Sequence, residues 1–219
     1  MMYKIKPNDN LSKIAKKFNC TVELIMAFNP TIKNPNHIYV NQLIKIPNLE
    51  DVPGPIIITE TTDVSLFMNR AKSAIGKGIK YKLGSGGMKP ELNLPTADKK
   101  CDCSGFVCWV FKISRKTDIP FYQKFGGWIF TDSMEADIKS VSGIFNKIDT
   151  PEVGCIVVYG AGNKIGHVGI VSEVKNGKMT KVIHCSSGND KKYNDSIQET
   201  SPTVFNRPDI LWGRFTDLI

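Results

Sequence analysis

The sequence predicts an α+β fold in which a small unit of two strands and two helices precedes a larger domain. Two observations predict this class. Residues 3–48 show the order strand, helix, helix, strand, with apolar residues at helical spacing between two short strands. From residue 63 onward, helices are followed by strands, an order typical of a domain built on an antiparallel sheet.

The small unit is bounded by expected strands at residues 3–5 and 42–46. Asp9 or Asn10 is placed to cap its first helix, which has one apolar face. The second helix stops before Pro30, because the residue ahead of a proline disfavours the helical conformation. The inward face of the first helix comprises Leu11, Ile14, Ala15 and Phe18.

A linker is predicted at residues 49–62, because Pro53-Gly54-Pro55 interrupts any regular element. The isoleucines at 56–58 are too apolar for a free tether, so we expect them to lie on one of the domains. The sequence therefore predicts separate domains at residues 1–48 and 63–219.

The larger domain is expected to begin with a helix from Asp63 that ends before Gly76. A glycine-rich loop at residues 84–87 is too flexible in composition for a core element, and a buried helix begins at or just after Cys103. Asn176-Gly177 is a strong hairpin signal. Further elements are expected at residues 132–142 (helix) and at 155–159, 165–174, 179–185 and 210–215 (strands).

The formal net charge is +8, and the lysines that produce it are scattered along the chain. Residues 1–48 hold seven lysines and two acids (+5), and the remainder holds 22 basic and 19 acidic residues (+3). Because the charge forms no single stripe and no nucleic-acid motif is present, we expect no nucleic-acid partner. Diffuse positive charge suits a polyanionic surface such as a bacterial wall.

Membrane insertion is not expected, because uninterrupted apolar runs such as residues 155–159 are far too short to cross a bilayer. Residues 1–7 lack the apolar core that a signal peptide needs. We therefore expect either work inside the cell or export by another route.

The six cysteines are expected to be reduced, because they lie mostly in apolar or helical segments of a chain long enough to bury a core without disulfides. A metal site is conceivable, but the paired two-residue spacings of zinc modules are missing. We expect no metal and no cofactor. The cysteines that such a site would use are Cys101, Cys103, Cys108 and Cys185.

Cys103 is the candidate nucleophile. A cysteine at a helix N-terminus lies among unpaired backbone N–H groups and the positive end of the dipole, which stabilise a thiolate. Gly105, which has no side chain, lets this helix start lie close to a neighbouring sheet. The alternative is a buried structural cysteine, which is the usual fate of a free thiol.

Two of the three histidines lie on the predicted hairpin. With the turn at Asn176-Gly177, His184 faces Gly169, so His167 and His184 share one face as diagonal neighbours within roughly 8 Å at Cβ. One imidazole can then take the thiol proton while the other orients it. The alternative is two packing histidines without a shared task, and we expect His37 to be solvated or packed.

The stretch from Tyr3 to Ala15, with Asn29-Pro30 and Ile44-Lys45-Ile46-Pro47, resembles a LysM module, a family that binds glycans containing N-acetylglucosamine. Asn8 and Asn41 depart from it by replacing glycines, but asparagine tolerates positive φ. The alternative is a LysM-shaped spacer without affinity. The resemblance implies a glycan groove formed by Asp9, Asn10, Leu11, Asn29, Pro30, Ile32 and Asn34.

Three blocks, at residues 102–107, 166–170 and 182–184, resemble the signatures of NlpC-type cell-wall cysteine peptidases. That family has a papain-like fold, here with N-terminal helices and an antiparallel sheet. The resemblance implies Cys103 as nucleophile, His167 as base and His184 as the group that orients it. It also places Tyr81 beside the nucleophile, and Asp102 and Ser104 in the substrate pocket. Cys155 departs from the usual aspartate, a position we expect to be structural.

The resemblance implies a monomeric, wall-targeted cysteine endopeptidase that cleaves peptidoglycan stem peptides at the bond between γ-D-glutamate and the diamino acid. The same site would also suit an amidase that cuts between muramic acid and L-alanine. A silent, wall-binding phage-tail part is the alternative from another class.

Overall fold

The computed structural model describes residues 2–7, 9–18, 22–32, 34, 37–46, 61–140, 142–162 and 165–216. The chain divides into two compact units, Met1–Thr59 and Glu60–Ile219. Most of the predicted linker, residues 49–60, lies outside the described residues. Its last two positions belong to the helix that opens the second unit, which begins at Thr61.

The first unit has the predicted order of strand, helix, helix and strand. Its strands are β1 (Met2–Lys4) and β2 (Leu43–Lys45), which pair antiparallel with Tyr3 opposite Ile44. Its helices are α1 (Leu11–Lys17) and α2 (Val22–Ala27). Their apolar faces meet the sheet in a small core of Tyr3, Ile5, Leu11, Ile14, Ala15, Ile25, Ile32, Ile44 and Ile46.

The second unit is built on a six-stranded, fully antiparallel sheet in the order β5-β10-β6-β7-β8-β9. This confirms the α+β class with an antiparallel sheet. The strands are β5 (Phe145–Ile148), β6 (Ile156–Tyr159), β7 (His167–Lys175), β8 (Lys178–Cys185), β9 (Ile197–Thr200) and β10 (Leu211–Phe215).

The helices of this unit are α3 (Thr61–Ser73), α4 (Cys103–Val110), α5 (Thr131–Ser140) and α6 (Ser187–Tyr193). A short parallel pair, β3 (Lys80–Tyr81) and β4 (Lys100–Cys101), leads into α4. None of the helices within the described residues is long and apolar enough to cross a bilayer. The sequence did not predict α6, β5 or β9.

Helix α4 is the centre of the core, and all eight of its residues are buried. Phe106, Val107 and Val110 pack with Val168 and Ile170 of β7 in the main hydrophobic cluster. A helix that is apolar on every side is stable only when it is covered all round. Its position against β7 and β8 is therefore fixed by the burial of its side chains.

The predicted hairpin register is confirmed. Ile170 lies opposite Ile183 and Lys175 lies opposite Lys178, so the same alignment holds at both ends of the β7–β8 ladder. An irregularity beside Glu173 shifts the pairing by one residue and then shifts it back. The histidines lie beyond that point, so their predicted alignment is preserved.

Candidate active site

Asp102 fixes the start of helix α4. Its backbone is extended, with φ −115° and ψ −179°, and its carboxylate accepts a hydrogen bond from the Gly105 N–H at 2.8 Å. An aspartate is among the best residues for this N-cap position, because its oxygen satisfies a backbone donor that the helix leaves unpaired. Cys103 is thereby held in the first turn, with 4% of its surface exposed.

Arg115 completes a buried network around that cap. Its guanidinium donates to the Asp102 carboxylate and to the Ser104 hydroxyl, both at 2.9 Å. The Gly84 N–H donates to the same carboxylate at 2.7 Å. Asp102 is 1% exposed and Ser104 3%, so both side chains hold the helix start and have almost no surface to offer a substrate. These two side chains can therefore shape the predicted substrate pocket only by positioning the start of α4.

The glycine-rich loop at residues 84–87 lies outside the hydrophobic core, as predicted, but it packs closely against the start of α4. A Cβ on Gly105 would lie 2.4 Å from the Ser85 carbonyl oxygen, and a Cβ on Gly87 would lie 2.5 Å from the Gly105 carbonyl oxygen. The close neighbour that Gly105 admits is this loop, not the predicted sheet. The loop is fixed because its backbone is hydrogen-bonded to Asp102 and Arg115.

His167 and His184 are hydrogen-bonded to each other, with 2.7 Å between His167 Nε2 and His184 Nδ1. Both lie just beyond the end of the β7–β8 ladder at Ile170 and Ile183. Gly169 leaves room for them, as predicted, because a Cβ there would lie 3.0 Å from the His184 Cβ. His167 Nδ1 is the ring nitrogen left for the thiol.

Cys103 lies beside the start of β7, at this open end of the hairpin. The backbone N–H groups of Val168 and Ser104 are close enough to the Cys103 sulfur to lower the pKa of its thiol. Val168 directly follows His167 along β7. Cys103 thus lies against the residue that follows His167, and His167 is hydrogen-bonded to His184.

Burial determines the resting protonation state. It raises the pKa of the Cys103 thiol to about 12, against the smaller lowering from the two N–H groups. Burial, followed by the neighbouring His184, lowers the pKa of His167 to about 3, and burial lowers that of His184 to about 4. Desolvation therefore opposes the thiolate that the helix end is expected to favour.

Tyr81 lies near the nucleophile, as the resemblance implies. It is opposite Cys101 in the β3–β4 pair, and its N–H donates to the Asp190 carboxylate at 3.0 Å. Burial raises the pKa of the Tyr81 hydroxyl, and the closeness of Cys103 raises it further. Whether this phenol contacts a substrate stays a prediction.

Sequence reasoning missed three further residues, which surround the two histidines. Tyr159 lies opposite His167 across β6 and β7, and the Phe205 ring stacks on the His167 imidazole with centroids 5.2 Å apart. On the other side, the Thr200 hydroxyl lies 3.0 Å from His184 Nε2. The pairing of β6 with β7 would have indicated Tyr159, but Thr200 lies on the unpredicted β9.

The predicted glycan-binding residues fall into two groups. Leu11, Ile32 and Asn29 are buried, and the Asn29 side chain bridges the Ile25 carbonyl and the Lys45 backbone. A glycan could reach these three only through backbone atoms or small exposed edges. The others, Asp9, Asn10, Pro30 and Asn34, are exposed or half-buried.

The first helix and one departure from the LysM pattern can also be placed. The Asn10 side chain caps α1 by accepting from the Lys13 N–H at 2.8 Å, whereas Asp9 accepts from the Tyr3 hydroxyl at 2.9 Å. Asn41 has φ +71°, as a residue that replaces a turn glycine requires. Asn8 lies outside the described residues.

Cys101, Cys103, Cys108, Cys155 and Cys185 are free thiols. The Cys185 thiol donates to the Cys101 carbonyl at 3.3 Å. Within the part of the chain that the structure describes, no three His, Cys, Asp or Glu side chains converge in a way that could hold a metal ion.

Comparison with known proteins gives short matches. The chain is 54% identical over 44 residues to an endolysin of Bacillus phage PZA and 50% identical over 42 residues to an endolysin of Bacillus phage B103. These segments cover 20% and 19% of this chain and 17% and 16% of the endolysins. It is 29% identical over 136 residues to the probable peptidoglycan endopeptidase LytE of Bacillus subtilis strain 168, over 58% of this chain and 36% of LytE. The chain thus spans well under half the length of these relatives.

Two domain families match separate parts of the chain. The LysM domain matches residues 3–47 and the CHAP domain matches residues 95–189. The second range includes Cys103, His167 and His184. The more specific NlpC-type assignment stays a prediction, because the family that matches is the CHAP domain. This chain therefore joins a LysM domain at residues 3–47 to a CHAP domain at residues 95–189.

Proposed function

We propose that this protein is a peptidoglycan hydrolase whose LysM domain holds wall glycan while Cys103 attacks the peptide part of the wall. The observation that carries the proposal is the cluster of Cys103, at a capped helix start, with the hydrogen-bonded pair His167 and His184. A thiol, a base and a group that orients the base are what a cysteine nucleophile requires. The CHAP match over these residues and the names of the relatives support it.

The first step moves the thiol proton to His167 Nδ1, since the other ring nitrogen is bonded to His184. Burial disfavours a thiolate alone and an imidazolium alone. When one proton transfer creates both, each ion lies beside an opposite charge, which offsets part of the desolvation cost. The transfer therefore costs less than either separate ionisation, and it accompanies the attack on the carbonyl.

The thiolate then forms a bond to the carbonyl carbon, and the carbonyl electrons move onto oxygen. Backbone N–H groups at the start of α4 are the donors available to this oxyanion. His167 returns its proton to the leaving amine as the C–N bond breaks, which leaves an acyl group on Cys103. Water, deprotonated by His167, releases the acid and restores the thiol.

The bond we propose is the one between γ-D-glutamate and the diamino acid of the stem peptide, which makes the protein a DL-endopeptidase. This choice rests on the NlpC-type resemblance of residues 102–107, 166–170 and 182–184. Hydrolysis at the bond between muramic acid and L-alanine uses the same chemistry and is the competing assignment. The two differ in the new ends that they create.

The test is to digest purified peptidoglycan with the wild-type protein and with Cys103→Ala, and to identify the new ends by mass spectrometry. A new N-terminus on the diamino acid supports the endopeptidase, and a new N-terminus on L-alanine would replace it with an amidase. Cys103→Ala should release nothing while binding the wall as the wild type does. Wall binding without release by the wild type would instead support a non-catalytic wall-binding part.

The LysM domain supplies attachment without chemistry. Its net charge of +5 over residues 1–48 favours approach to an anionic wall. Attachment through sugars raises the local concentration of stem peptides around the second domain. We infer that the exposed Asn10, Pro30 and Asn34 contribute to glycan binding.

A further inference from the structure

Helix α6 and strand β9 place two polar side chains around His184 that the proposed reaction does not yet use. Thr200 lies opposite Val182, which is two residues from His184, so Thr200 is the diagonal neighbour of His184 on β9. His167 is its diagonal neighbour on the other side, on β7. The three side chains form a line across adjacent strands: His167, His184 and Thr200.

We propose that Thr200 is a positioning residue that selects the tautomer of His184 and, through it, leaves His167 Nδ1 unprotonated to accept the thiol proton. The kinetic consequence rests on the proposed cysteine hydrolase. The tautomers themselves do not depend on it.

The argument begins with the Thr200 hydroxyl, which has one proton and two neighbours. The Ser201 carbonyl oxygen lies 2.9 Å away and can only accept a hydrogen bond. His184 Nε2 lies 3.0 Å away and can donate or accept. If the proton goes to the carbonyl, the hydroxyl accepts from an Nε2–H on His184, and all three groups are satisfied.

The opposite tautomer of His184 has an unprotonated Nε2, which would need a donor such as the Asn189 amide. Its Nδ2 lies 3.4 Å from His184 Nε2, but also 3.2 Å from the His184 carbonyl oxygen and 3.3 Å from the Ser196 carbonyl oxygen. The two amide protons are matched to these two carbonyls, and Asn189 is 6% exposed, so few other partners are available. The hydrogen-bond partner of His184 Nε2 is therefore the Thr200 hydroxyl, to which an Nε2–H donates.

The tautomer of His184 determines that of His167. With a proton on Nε2, neutral His184 has a lone pair on Nδ1, which accepts from His167 Nε2–H across 2.7 Å. Neutral His167 then has its lone pair on Nδ1. In the reverse arrangement, Thr200 donates to His184, His184 donates to His167, and His167 Nδ1 carries a proton that blocks it as a base. Only the first arrangement gives a working base, and only the first keeps the 2.9 Å hydrogen bond from the Thr200 hydroxyl to the Ser201 carbonyl.

The direct test is a two-bond ¹H–¹⁵N spectrum of the full protein with ¹⁵N-labelled histidine at pH 7, where burial keeps both catalytic rings neutral. The chain has only three histidines, so His37→Gln assigns the third signal. We expect both His167 and His184 as Nε2–H tautomers. A His184 ring protonated on Nδ1 would overturn the proposal, and this readout needs no active enzyme and no variant at Thr200.

The variant test is Thr200→Val, which keeps the branched shape suited to a strand and removes the hydroxyl. We expect kcat on a soluble muropeptide to fall about tenfold to a hundredfold with little change in KM, and a second His184 tautomer to appear. Thr200→Ser should restore both. Thr180→Val is the matched control, because its hydroxyl bonds to Glu173 far along β8 from the histidines.

The outcomes separate the two proposals. If Thr200→Val keeps wild-type kcat and a single His184 tautomer while Cys103→Ala is inactive, the positioning role is wrong and the hydrolase stands. If Cys103→Ala remains active, the proposed function is wrong and the tautomer spectrum still decides the role of Thr200. If the valine variant is unfolded, the wild-type spectrum and Thr200→Ser carry the test.

Discussion

The Arg115 guanidinium donates to the Asp102 carboxylate at 2.9 Å, and both side chains are buried beside the nucleophile. Removing one partner of such a pair leaves an uncompensated charge in the interior. Arg115→Met should therefore lower the free energy of unfolding by about 3–5 kcal/mol. Denaturant unfolding of the variant and the wild type measures this directly.

The matched control for Arg115 is Lys139→Met, which removes the exposed ion pair between Lys139 and Glu135 on α5. An exposed pair four residues apart contributes only about 0.3–0.5 kcal/mol. Equal effects of the two substitutions would show that the Asp102 cap does not depend on Arg115.

His167→Ala should reduce turnover of a soluble muropeptide about 10²- to 10⁴-fold, because it removes the general base. His184→Ala should cost less, since His184 acts only by orienting His167 through its hydrogen bond. His37→Ala, in the LysM domain, is the control and should leave turnover unchanged. A His184→Ala variant with wild-type turnover would contradict the function of the hydrogen-bonded pair.

Alkylation of Cys103 by iodoacetamide should accelerate about tenfold per pH unit from pH 6 to 9, because burial raises the pKa of its thiol to about 12 and only the thiolate reacts. Peptide mass spectrometry after timed quenching separates Cys103 from the other cysteines. A rate that stays flat across pH 5–8 would instead indicate a standing thiolate–imidazolium pair.

Chelators should not affect activity, and inactivation that zinc reverses would revive the metal site.

Acid should destabilise the second unit through its histidines. Burial lowers the pKa of His167 to about 3 and of His184 to about 4, below the ordinary value of 6.5 that the unfolded chain retains. At a pH between the folded and the unfolded pKa values, the unfolded state binds more protons than the folded state. The stability that neutral histidines contribute is therefore fully present above about pH 6.5 and falls as the pH drops toward 3. Each proton that only the unfolded state binds changes the free energy of unfolding by about 1.4 kcal/mol per pH unit.

The measurement for the acid effect is thermal unfolding between pH 7 and 5. The slope of Tm against pH should be smaller in a His167→Gln, His184→Gln double variant than in the wild type. His37→Gln should keep the wild-type slope, and an unchanged slope in the double variant would refute the linkage.

Deleting residues 1–48 should weaken co-sedimentation with intact wall but leave cleavage of a small soluble muropeptide nearly unchanged. The reason is that each unit has its own hydrophobic core, and every residue of the proposed site lies in the second unit. Loss of activity on the soluble fragment as well would mean that the LysM domain forms part of the catalytic cleft.

The local parts of this site could be predicted from sequence because each depends on few residues. The helical spacing of the apolar residues from Phe106 onward indicates a helix that starts near Cys103, and the Asn176-Gly177 turn predicts the alignment of two neighbouring strands. The confirmed pairing of Ile170 with Ile183 agrees with the alignment that this turn predicts.

The missed parts depend on contacts between distant segments. Arg115 lies after α4, and only the folded loop at residues 84–87 brings it under Asp102. Thr200 depends on β9, a four-residue strand whose pattern is too short to distinguish from a loop. The burial that raises the pKa of the Cys103 thiol could not be predicted either, because a helix-end position does not show how deeply the side chain is buried.

The tip of the β7–β8 hairpin is a permissive place for protein engineering, because its turn is exposed and lies at the far end of both strands from the histidines. Residues inserted between Asn176 and Gly177 extend both strands away from the histidines, so a peptide tag or a fluorescent label there should leave their alignment intact. A single-residue deletion nearer the site, for example of Val182, would turn His184 to the opposite face of the sheet. One strand pair thus combines an attachment point for a label at its tip with a length-sensitive segment at its base.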